Sequence, residues 1–195
     1  MKLTDFHETD GRRLRSHASR ERIINAVIAL IDESRHPPSA EDVAARAGVG
    51  LRSVFRHFGD MDTLYGAVLD RVGRRYLHLV EPYHSTHWTG QLREALGRRL
   101  ELFEGGIAYR RAAEYYRGGS AAIRQGRSVF EEMMRARLES VVGEIMHQDR
   151  LWFQRLDLWL SLDCYASLRE RQRLSHAEAA EVMTAAVEQL IAEKA

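Results

Sequence analysis

The sequence predicts an all-α protein of about nine helices. Apolar residues recur with the 3.6-residue period of amphipathic helices along most of the 195 residues, and runs of β-branched residues are few. Only three prolines, Pro37, Pro38 and Pro82, interrupt this pattern. A hydrophobic content of 45% supplies enough apolar surface for a packed core. Together these observations favour a globular helical protein.

Breaks in the periodicity divide the chain into three predicted segments. Residues 1–18 are polar and lack a sustained period, which is typical of a flexible arm. Residues 19–81 hold an N-terminal group of three helices followed by a linking helix. This linking helix is predicted to form a lever of about 20 residues from Asp60 to about Val80. Residues 82–195 hold about five further helices, which form a C-terminal bundle.

We place the helices of the third segment by their apolar stripes and by the residues at their ends. One is predicted over about residues 91–104, ending at the Gly105-Gly106 pair. Another spans about residues 151–171 without a break and is apolar around most of its circumference, so it needs neighbours on more than one side. Ser175 with Glu178 forms a capping box for the last helix.

The stretch SAEDVAARAGVGLRSVFRHF, residues 39–58, has the spacing of a helix-turn-helix. Ser39 and Asp42 form a shortened capping box at the start of its first helix. Gly48 ends that helix in a tight turn, because glycine tolerates the backbone angles that such a turn requires. The second helix is predicted from Leu51 to Phe58.

This second helix has one apolar face and one polar face. Val54 and Phe58 are four residues apart and lie on the side predicted to face the core. The opposite side carries Arg52, Ser53, Arg56 and His57. Arginine can form two hydrogen bonds with guanine, so this face suits a helix that reads the major groove of DNA. A basic face that is merely solvated is the alternative.

Positive charge concentrates around this motif, although the formal net charge of the chain is only +1. Residues 11–58 hold nine arginines and five acidic residues. Three of the arginines, Arg12, Arg13 and Arg15, lie in the predicted arm. Short basic arms can contact phosphates or enter the minor groove, and a solvated tail is the equal alternative.

The order AxxVAxxAGVGxxSVFRHFGDMDTLYGAVLD resembles that of the tetracycline-repressor (TetR) family of bacterial transcriptional regulators, over about residues 20–69. The resemblance implies a homodimer that reads a near-palindromic DNA operator, most often as a repressor, and is released by a small-molecule effector. We therefore expect DNA contacts from Ser39, Gly50, Leu51, Arg52, Ser53, Phe55, Arg56 and His57. Two positions depart from the family: Phe55 stands where Tyr is usual, and Met61 where Lys is usual. In the family both commonly contact DNA phosphates.

The resemblance also implies effector and dimer sites in the third segment, although only the number and order of its helices match. We expect the effector to contact aromatic side chains, namely Phe103, Tyr116, Phe130, Trp152, Phe153, Trp159 and Tyr165. Aromatic residues that form only core are the alternative. The last two helices are predicted to pair in the dimer through Trp159, Leu162, Ala179, Val182, Met183, Ala186 and Leu190. Burial of both helices within one monomer is the alternative.

Other functional classes have weaker support in the sequence. An enzyme would need a reactive constellation, and neither GxSxG nor HExxH occurs. Cys164 is the only cysteine and cannot form an intrachain disulfide. His84 and His87 lack a third nearby ligand, so we expect no metal or cofactor. The sequence shows no leading apolar segment for export, so we expect a cytoplasmic protein. No apolar run approaches the about 18 residues of a membrane span, so we expect no membrane-embedded role. A DNA-binding protein with a purely dimerising bundle, and an all-α enzyme, remain the alternatives.

Overall fold

The computed structural model describes the backbone of residues 4–34, 37–115 and 121–195, and the side chains of residues 13–33, 37–112, 125–126 and 128–195. These residues form nine α-helices, with no strand among them. The helices are α1 (Thr4–Ser34), α2 (Ala40–Ala47), α3 (Leu51–Phe58), α4 (Met61–Arg75), α5 (Trp88–Tyr115), α6 (Ala121–Gln148), α7 (Arg150–Trp159), α8 (Leu162–Ala166) and α9 (His176–Ala192). A 3-10 helix (Leu77–Val80) follows α4, and one π-helical turn (Ser167–Arg171) follows α8. The predicted all-α class is confirmed.

The chain divides into two compact units. The first contains Met1–Arg74 and Ala108–Gly126, and the second contains Arg75–Ile107 and Arg127–Ala195. The division therefore differs from the predicted boundary after residue 81, because the end of α5 belongs to the first unit. Tyr109 shows why: its side chain is buried there, and its hydroxyl lies 2.8 Å from Oδ1 of Asp32 on α1.

One apolar stripe on each of the first four helices builds the core of the first unit. The predicted inward face of α3, with Val54 and Phe58, is confirmed. The buried residues are Ile23, Ile24, Val27, Ile28 and Ile31 on α1, Val43, Ala44 and Ala47 on α2, Val54 and Phe58 on α3, and Leu64, Tyr65, Val68 and Val72 on α4. The core thus fixes which side of α3 faces outward.

Helix α1 begins at Thr4, so residues 4–18, predicted as a flexible arm, continue the first helix toward the N-terminus. The side chains of residues 13–18 are all exposed. Apolar periodicity detects burial of one helix face, and a helix that buries no face gives no such signal.

Helix α4 ends at Arg75, and the predicted continuous lever to Val80 is wrong. The backbone of Tyr76 leaves the helical region at φ −108° and ψ 13°, and the 3-10 helix follows. Helix α5, in contrast, continues through Gly105 and Gly106, where the sequence predicted an end. A Cβ at Gly105 would lie 1.7 Å from the Tyr76 hydroxyl oxygen, so this glycine permits close packing and does not end the helix.

The second unit has a larger core, drawn from α5 to α9. Its largest fully buried side chains are Leu92, Leu138, Trp152, Phe153, Leu156, Leu160, Tyr165 and Met183. The predicted unbroken helix over residues 151–171 is wrong, because Ser161 starts a new helix by accepting a 3.0 Å hydrogen bond from the Cys164 N–H. The capping box of Ser175 and Glu178 is confirmed at the start of α9. No helix in the described ranges is long and apolar enough to cross a membrane.

Candidate nucleic-acid interface

Helix α2 begins at the capping box that the sequence predicted. The Ser39 hydroxyl oxygen accepts the Asp42 N–H at 3.1 Å, and the Ser39 N–H donates to Asp42 Oδ2 at 3.1 Å. The Ser39 hydroxyl also donates to Asp42 Oδ2 at 2.7 Å. These bonds lower the pKa of the Asp42 carboxyl below its usual value. Both donors of Ser39 are therefore used within α2, which argues against its predicted DNA contact.

Three glycines mark the ends of the turn and of α3. Gly48 ends α2 at φ 65° in the left-handed region, and the Val49 N–H reaches back to the Ala44 carbonyl at 3.0 Å. Gly50 is the N-cap of α3 and supplies no side-chain hydrogen bond to it. Gly59 ends α3 at φ 77°. The first N–H groups of α3 thus have no side-chain cap.

Helix α3 is fixed on its inner side by two buried side chains, Val54 and Phe58. The guanidinium of Arg20 on α1 lies 5.0 Å from the centroid of the Phe58 ring, on its face. Asp60 holds the following turn by accepting the Thr63 N–H at 2.7 Å. Packing on one side and a stacked cation from α1 therefore orient the helix.

The outer side of α3 carries two exposed arginines, Arg52 and Arg56. Arg56 Nη2 lies 3.3 Å from the Ser53 hydroxyl oxygen, and this contact keeps the two side chains on one side of the helix. Neither arginine forms an ion pair with a residue that the structure describes. Elsewhere in the same unit, Arg46 pairs with Glu33 and Arg71 with Glu21. The two arginines of α3 thus differ from Arg46 and Arg71, which glutamates neutralise.

Apolar and imidazole side chains flank these arginines. Leu51 is 37% exposed and Phe55 is 40% exposed, on one flank of the helix. His57 lies on the other flank, where it is half-buried and its Nε2 is buried with no hydrogen-bond partner among the described residues. Burial lowers the pKa of His57, with smaller contributions from Arg56 and Arg20. His57, predicted on the outward side of α3, therefore lies at the edge of that side.

The predicted basic arm is part of α1. Arg13 and Arg15 are exposed on this helix, whereas the Arg12 side chain lies outside the described residues. Their predicted phosphate contacts therefore start from a helix and not from an extended tail. An extended arm that enters the minor groove, which the sequence left open, does not fit this geometry.

Most residues predicted to bind an effector are part of the core of the second unit. Phe103, Trp152, Phe153 and Tyr165 are fully or almost fully buried, whereas Phe130 and Trp159 are half-buried. Tyr116 lies outside the described residues. The ring centroids of Phe103 and Tyr165 are 5.7 Å apart, so the structure brings these two together.

Two of these aromatic residues, Trp152 and Tyr165, use their polar atoms in hydrogen bonds within the second unit. Trp152 donates from Nε1 to the Leu190 carbonyl at 2.9 Å, and the Tyr165 hydroxyl bonds Glu104 Oε2 at 2.5 Å. Burial, followed by the bond to Glu104, raises the pKa of the Tyr165 hydroxyl above its usual range. Hydrogen bonds of this kind are typical of polar atoms in a protein core. They agree with the alternative that these aromatic residues form only core.

The predicted dimer set separates into two groups. Ala179, Met183 and Leu190 are buried in the core of their own chain, so assigning them to a dimer interface is wrong. Val182 is exposed, and Ala186, Trp159 and Leu162 are half-buried. The apolar stripe of α9 has two edges. One edge packs into the core, and the edge with Val182 and Ala186 faces outward.

A buried arginine in the second unit was missed by the sequence analysis. Arg99 is only 5% exposed, and its guanidinium donates to the carbonyls of Leu160 at 2.6 Å and Met134 at 2.5 Å. Burial lowers its pKa to about 10. The signal was present in the sequence, since Arg99 lies three residues after Leu96 and four before Phe103, on the apolar stripe of α5.

The two histidines considered as metal ligands have protein partners. His84 bonds Glu94 through its ring at 3.3 Å, and the His87 ring lies 2.8 Å from the Thr89 hydroxyl. Among the residues with described positions, no group of three or more His, Cys, Asp or Glu side chains could hold a metal ion.

Sequence comparison finds relatives that match part of the chain. No family model matches it. Two helix-turn-helix transcriptional regulators, from Mycobacterium bovis and Mycobacterium tuberculosis, are each 36% identical over 83 residues, or 40% of this chain and 43% of the relative. A helix-turn-helix transcriptional repressor of Mycobacterium tuberculosis matches to the same extent. The chain thus spans less than half the length of these relatives.

Solved structures match over nearly the whole length. A TetR-family transcriptional regulator from Rhodococcus has a TM-score of 0.68 at 16% identity, covering 88% of this chain and 98% of that one. A second Rhodococcus regulator has a TM-score of 0.65 at 19% identity, covering 89% and 96%. The multidrug-binding protein EbrR has 0.55 at 21%, covering 86% and 88%. The chain therefore shares its fold with solved TetR-family regulators and carries a helix-turn-helix motif in its first unit.

Proposed function

We propose that this chain is a homodimeric DNA-binding transcriptional repressor whose second unit responds to a small molecule in the cytoplasm. The observation that carries the proposal is the outer side of α3, where Arg52 and Arg56 are exposed and lack acidic partners among the described residues. A solvated face could carry the same residues. However, the first unit neutralises Arg46 and Arg71 with glutamates while leaving α3 unneutralised.

DNA would be bound by two kinds of contact. Arg52 and Arg56 can each form paired hydrogen bonds with guanine, or single bonds with phosphate, from a helix of major-groove size. The uncapped first turn of α3 at Gly50 offers backbone N–H groups and the positive end of the helix dipole to a phosphate. The exposed Arg13 and Arg15 can add phosphate contacts from α1.

Dimerisation would use the outward edge of α9. Val182 and Ala186 lie one turn apart on this edge, and Leu158 of α7 is 63% exposed. A two-fold dimer would present two copies of α3 about 34 to 36 Å apart, or a multiple, and so read a near-palindromic operator. The small side chain of Ala186 would allow close approach of two helices.

Effector control has the weakest structural support. The related structure of EbrR is named a multidrug-binding protein and is complexed with imidazole, which supports a small-molecule site in the second unit. The buried and internally bonded Trp152 and Tyr165 instead favour a bundle that only dimerises. An effector would release DNA only if it bound the two head spacings with different affinities.

The proposal is tested by selecting duplexes from a random library with the full chain. We expect the selected sites to be near-palindromic, with half-sites one helical turn or a multiple apart. Recovery of unrelated sequences, with equal affinity for all of them, would contradict sequence-specific regulation. Release of the selected duplex by members of a panel of aromatic cations and acids would distinguish an effector-controlled repressor from a purely dimerising bundle.

The dimer has its own test by sedimentation equilibrium. Val182→Asp places a charge in the proposed interface and should convert dimer to monomer. Thr184→Asp is the matched control, because Thr184 is exposed on the opposite flank of α9. A wild-type monomer at tens of micromolar, or equal effects of the two substitutions, would remove this interface.

A further inference from the structure

We propose that Leu51 and Phe55 read thymine, by packing against the 5-methyl groups of thymines in the major groove. This inference rests on the proposed function and assigns a base preference to one flank of the same helix. It divides the reading helix into an apolar flank and a cationic centre.

The exposure of these two side chains is the first observation. Leu51 is 37% exposed and Phe55 is 40% exposed, whereas Val54 and Phe58 on the same helix are buried. Leu51 and Phe55 are four residues apart, so they lie next to each other on one side of α3. Single exposed apolar side chains are common, but these two form a continuous apolar surface on an eight-residue helix.

The neighbouring charge identifies the occupant of this surface. Arg52 and Arg56 are exposed beside the pair, and neither has an acidic partner among the described residues. A protein partner with an apolar patch would have to bury or neutralise these two cations as well. A DNA duplex supplies phosphates and guanine acceptors for them in the same groove.

The chemistry of the side chains then selects the base. Neither Leu nor Phe has a donor or acceptor, so neither can bond a phosphate or a polar base edge. The major groove offers one apolar group that distinguishes base pairs, the thymine 5-methyl group. Phe55 in particular lacks the hydroxyl that a tyrosine at this position would offer to a phosphate.

The helix geometry predicts how the thymines are spaced. Residues four apart in an α-helix are separated by about 6 Å along its axis. Base pairs in a duplex are about 3.4 Å apart. The methyl groups that contact Leu51 and Phe55 should therefore lie one or two base pairs apart in each half-site.

The test replaces thymine by deoxyuridine, which removes the methyl group and keeps every hydrogen-bonding group. The full chain is titrated with a duplex selected from a random library. It is also titrated with versions of that duplex in which deoxyuridine replaces one thymine and its counterpart in the other half-site. We expect one or two positions in each half-site to weaken binding by about fourfold per methyl group, the loss that burial of one methylene-sized group predicts.

Protein variants assign each methyl group to a side chain. Phe55→Ala should bind the thymine and deoxyuridine duplexes equally at one position, and Leu51→Ala at a neighbouring one, while Phe55→Tyr keeps the discrimination. Val129→Ala is the control, because it removes an exposed apolar side chain of α6 and should leave the discrimination unchanged. Because the wild-type comparison changes only the DNA, it does not depend on a variant folding.

The possible failures are distinct. Equal binding of wild type to thymine and deoxyuridine duplexes at every position, with specific binding intact, would overturn the thymine inference and leave the proposed function standing. Discrimination that persists in both Phe55→Ala and Leu51→Ala would assign the methyl contacts to other residues and also overturn it. Absence of any sequence-specific duplex binding would overturn the proposed function and the inference together.

Discussion

This chain uses arginine in two opposite ways. On α3 of the first unit, Arg52 and Arg56 are exposed and have no ion pair among the described residues. In the second unit, Arg99 is buried and its guanidinium donates to the Leu160 and Met134 carbonyls. The formal net charge of the chain, only +1, does not distinguish exposed arginines from buried ones. The hydrogen-bond partners of each guanidinium do: arginines bonded within their unit hold the fold, and those on α3 remain available to a ligand.

Two further arginines of the second unit show the same internal use. Arg98 and Arg137 lie 4.9 and 5.0 Å from the centroid of the Tyr83 ring. Arg98 also donates to the Pro82 carbonyl at 3.0 Å, and Arg137 to the Val80 carbonyl at 2.7 Å. Planar guanidinium groups suit this task, because they can stack on a ring and donate several hydrogen bonds at once. These cations fix the segment between α4 and α5.

The largest effect expected from this comparison is on stability. Arg99→Ala should lower the free energy of unfolding by about 3 kcal/mol, because it leaves a cavity and removes the donor to the buried Leu160 carbonyl and the partly buried Met134 carbonyl. The control is Arg93→Ala, which removes an exposed pair with Glu188 and should have a much smaller effect on the free energy of unfolding. Chemical denaturation followed by circular dichroism measures both. Equal losses of unfolding free energy would mean that the buried Arg99 guanidinium stabilises the fold no more than an exposed arginine does.

Sequence reasoning succeeded where structure is determined by neighbouring residues. The capping box of Ser39 and Asp42 and the buried pair of Val54 and Phe58 lie within short windows of the chain, so their spacing predicted α2 and α3 correctly. The side of α3 that faces outward followed from the same spacing. Its flanks did not, since the half-burial of His57 depends on packing around α3.

Sequence reasoning failed where distant residues meet. The Gly105-Gly106 pair was interpreted as a helix end, but Gly105 is required by Tyr76, 29 positions earlier in the chain. The periodicity of α9 also cannot tell which edge of its apolar stripe packs inside its own chain. That is why Met183 was assigned to the dimer while it lies in the core.

A smaller effect is expected from restoring the residues that the family usually has beside α3. Phe55→Tyr with Met61→Lys should tighten DNA binding, because it adds two groups that can contact phosphates. The hydroxyl is added at the exposed Phe55 and the cation at the half-buried Met61. If the lysine contacts a phosphate, the slope of log affinity against log salt should steepen by about 0.9. Fluorescence anisotropy across a salt series measures the slope. An unchanged slope would mean that these side chains lie clear of the DNA backbone.

The smallest effect concerns acid stability of α2. Hydrogen bonds from Ser39 lower the pKa of Asp42 in the folded state. Since the folded pKa lies below the unfolded value of about 3.9, the stabilisation is present above that pH and is lost as the pH falls through the folded pKa. Ser39→Ala removes the hydroxyl bond but keeps the backbone N–H bond to Asp42, so it should reduce this pH dependence and leave neutral-pH folding cooperative. Denaturation at a series of pH values checks it, and an acid transition identical to wild type would contradict the capping role.

The most direct test of the central claim compares two double substitutions that each remove two positive charges. Arg52→Ala with Arg56→Ala removes the arginines of α3, whereas Arg93→Ala with Arg155→Ala removes two that pair with Glu188 and Glu193. Binding of the selected duplex is measured across a salt series. We expect the α3 pair to weaken binding by about 1 to 3 kcal/mol for each base-reading arginine, or to reduce the salt slope by about 0.9 for each phosphate contact. The control pair should leave affinity and slope near wild type, and equal effects of the two pairs would contradict the assignment of α3 as the reading helix.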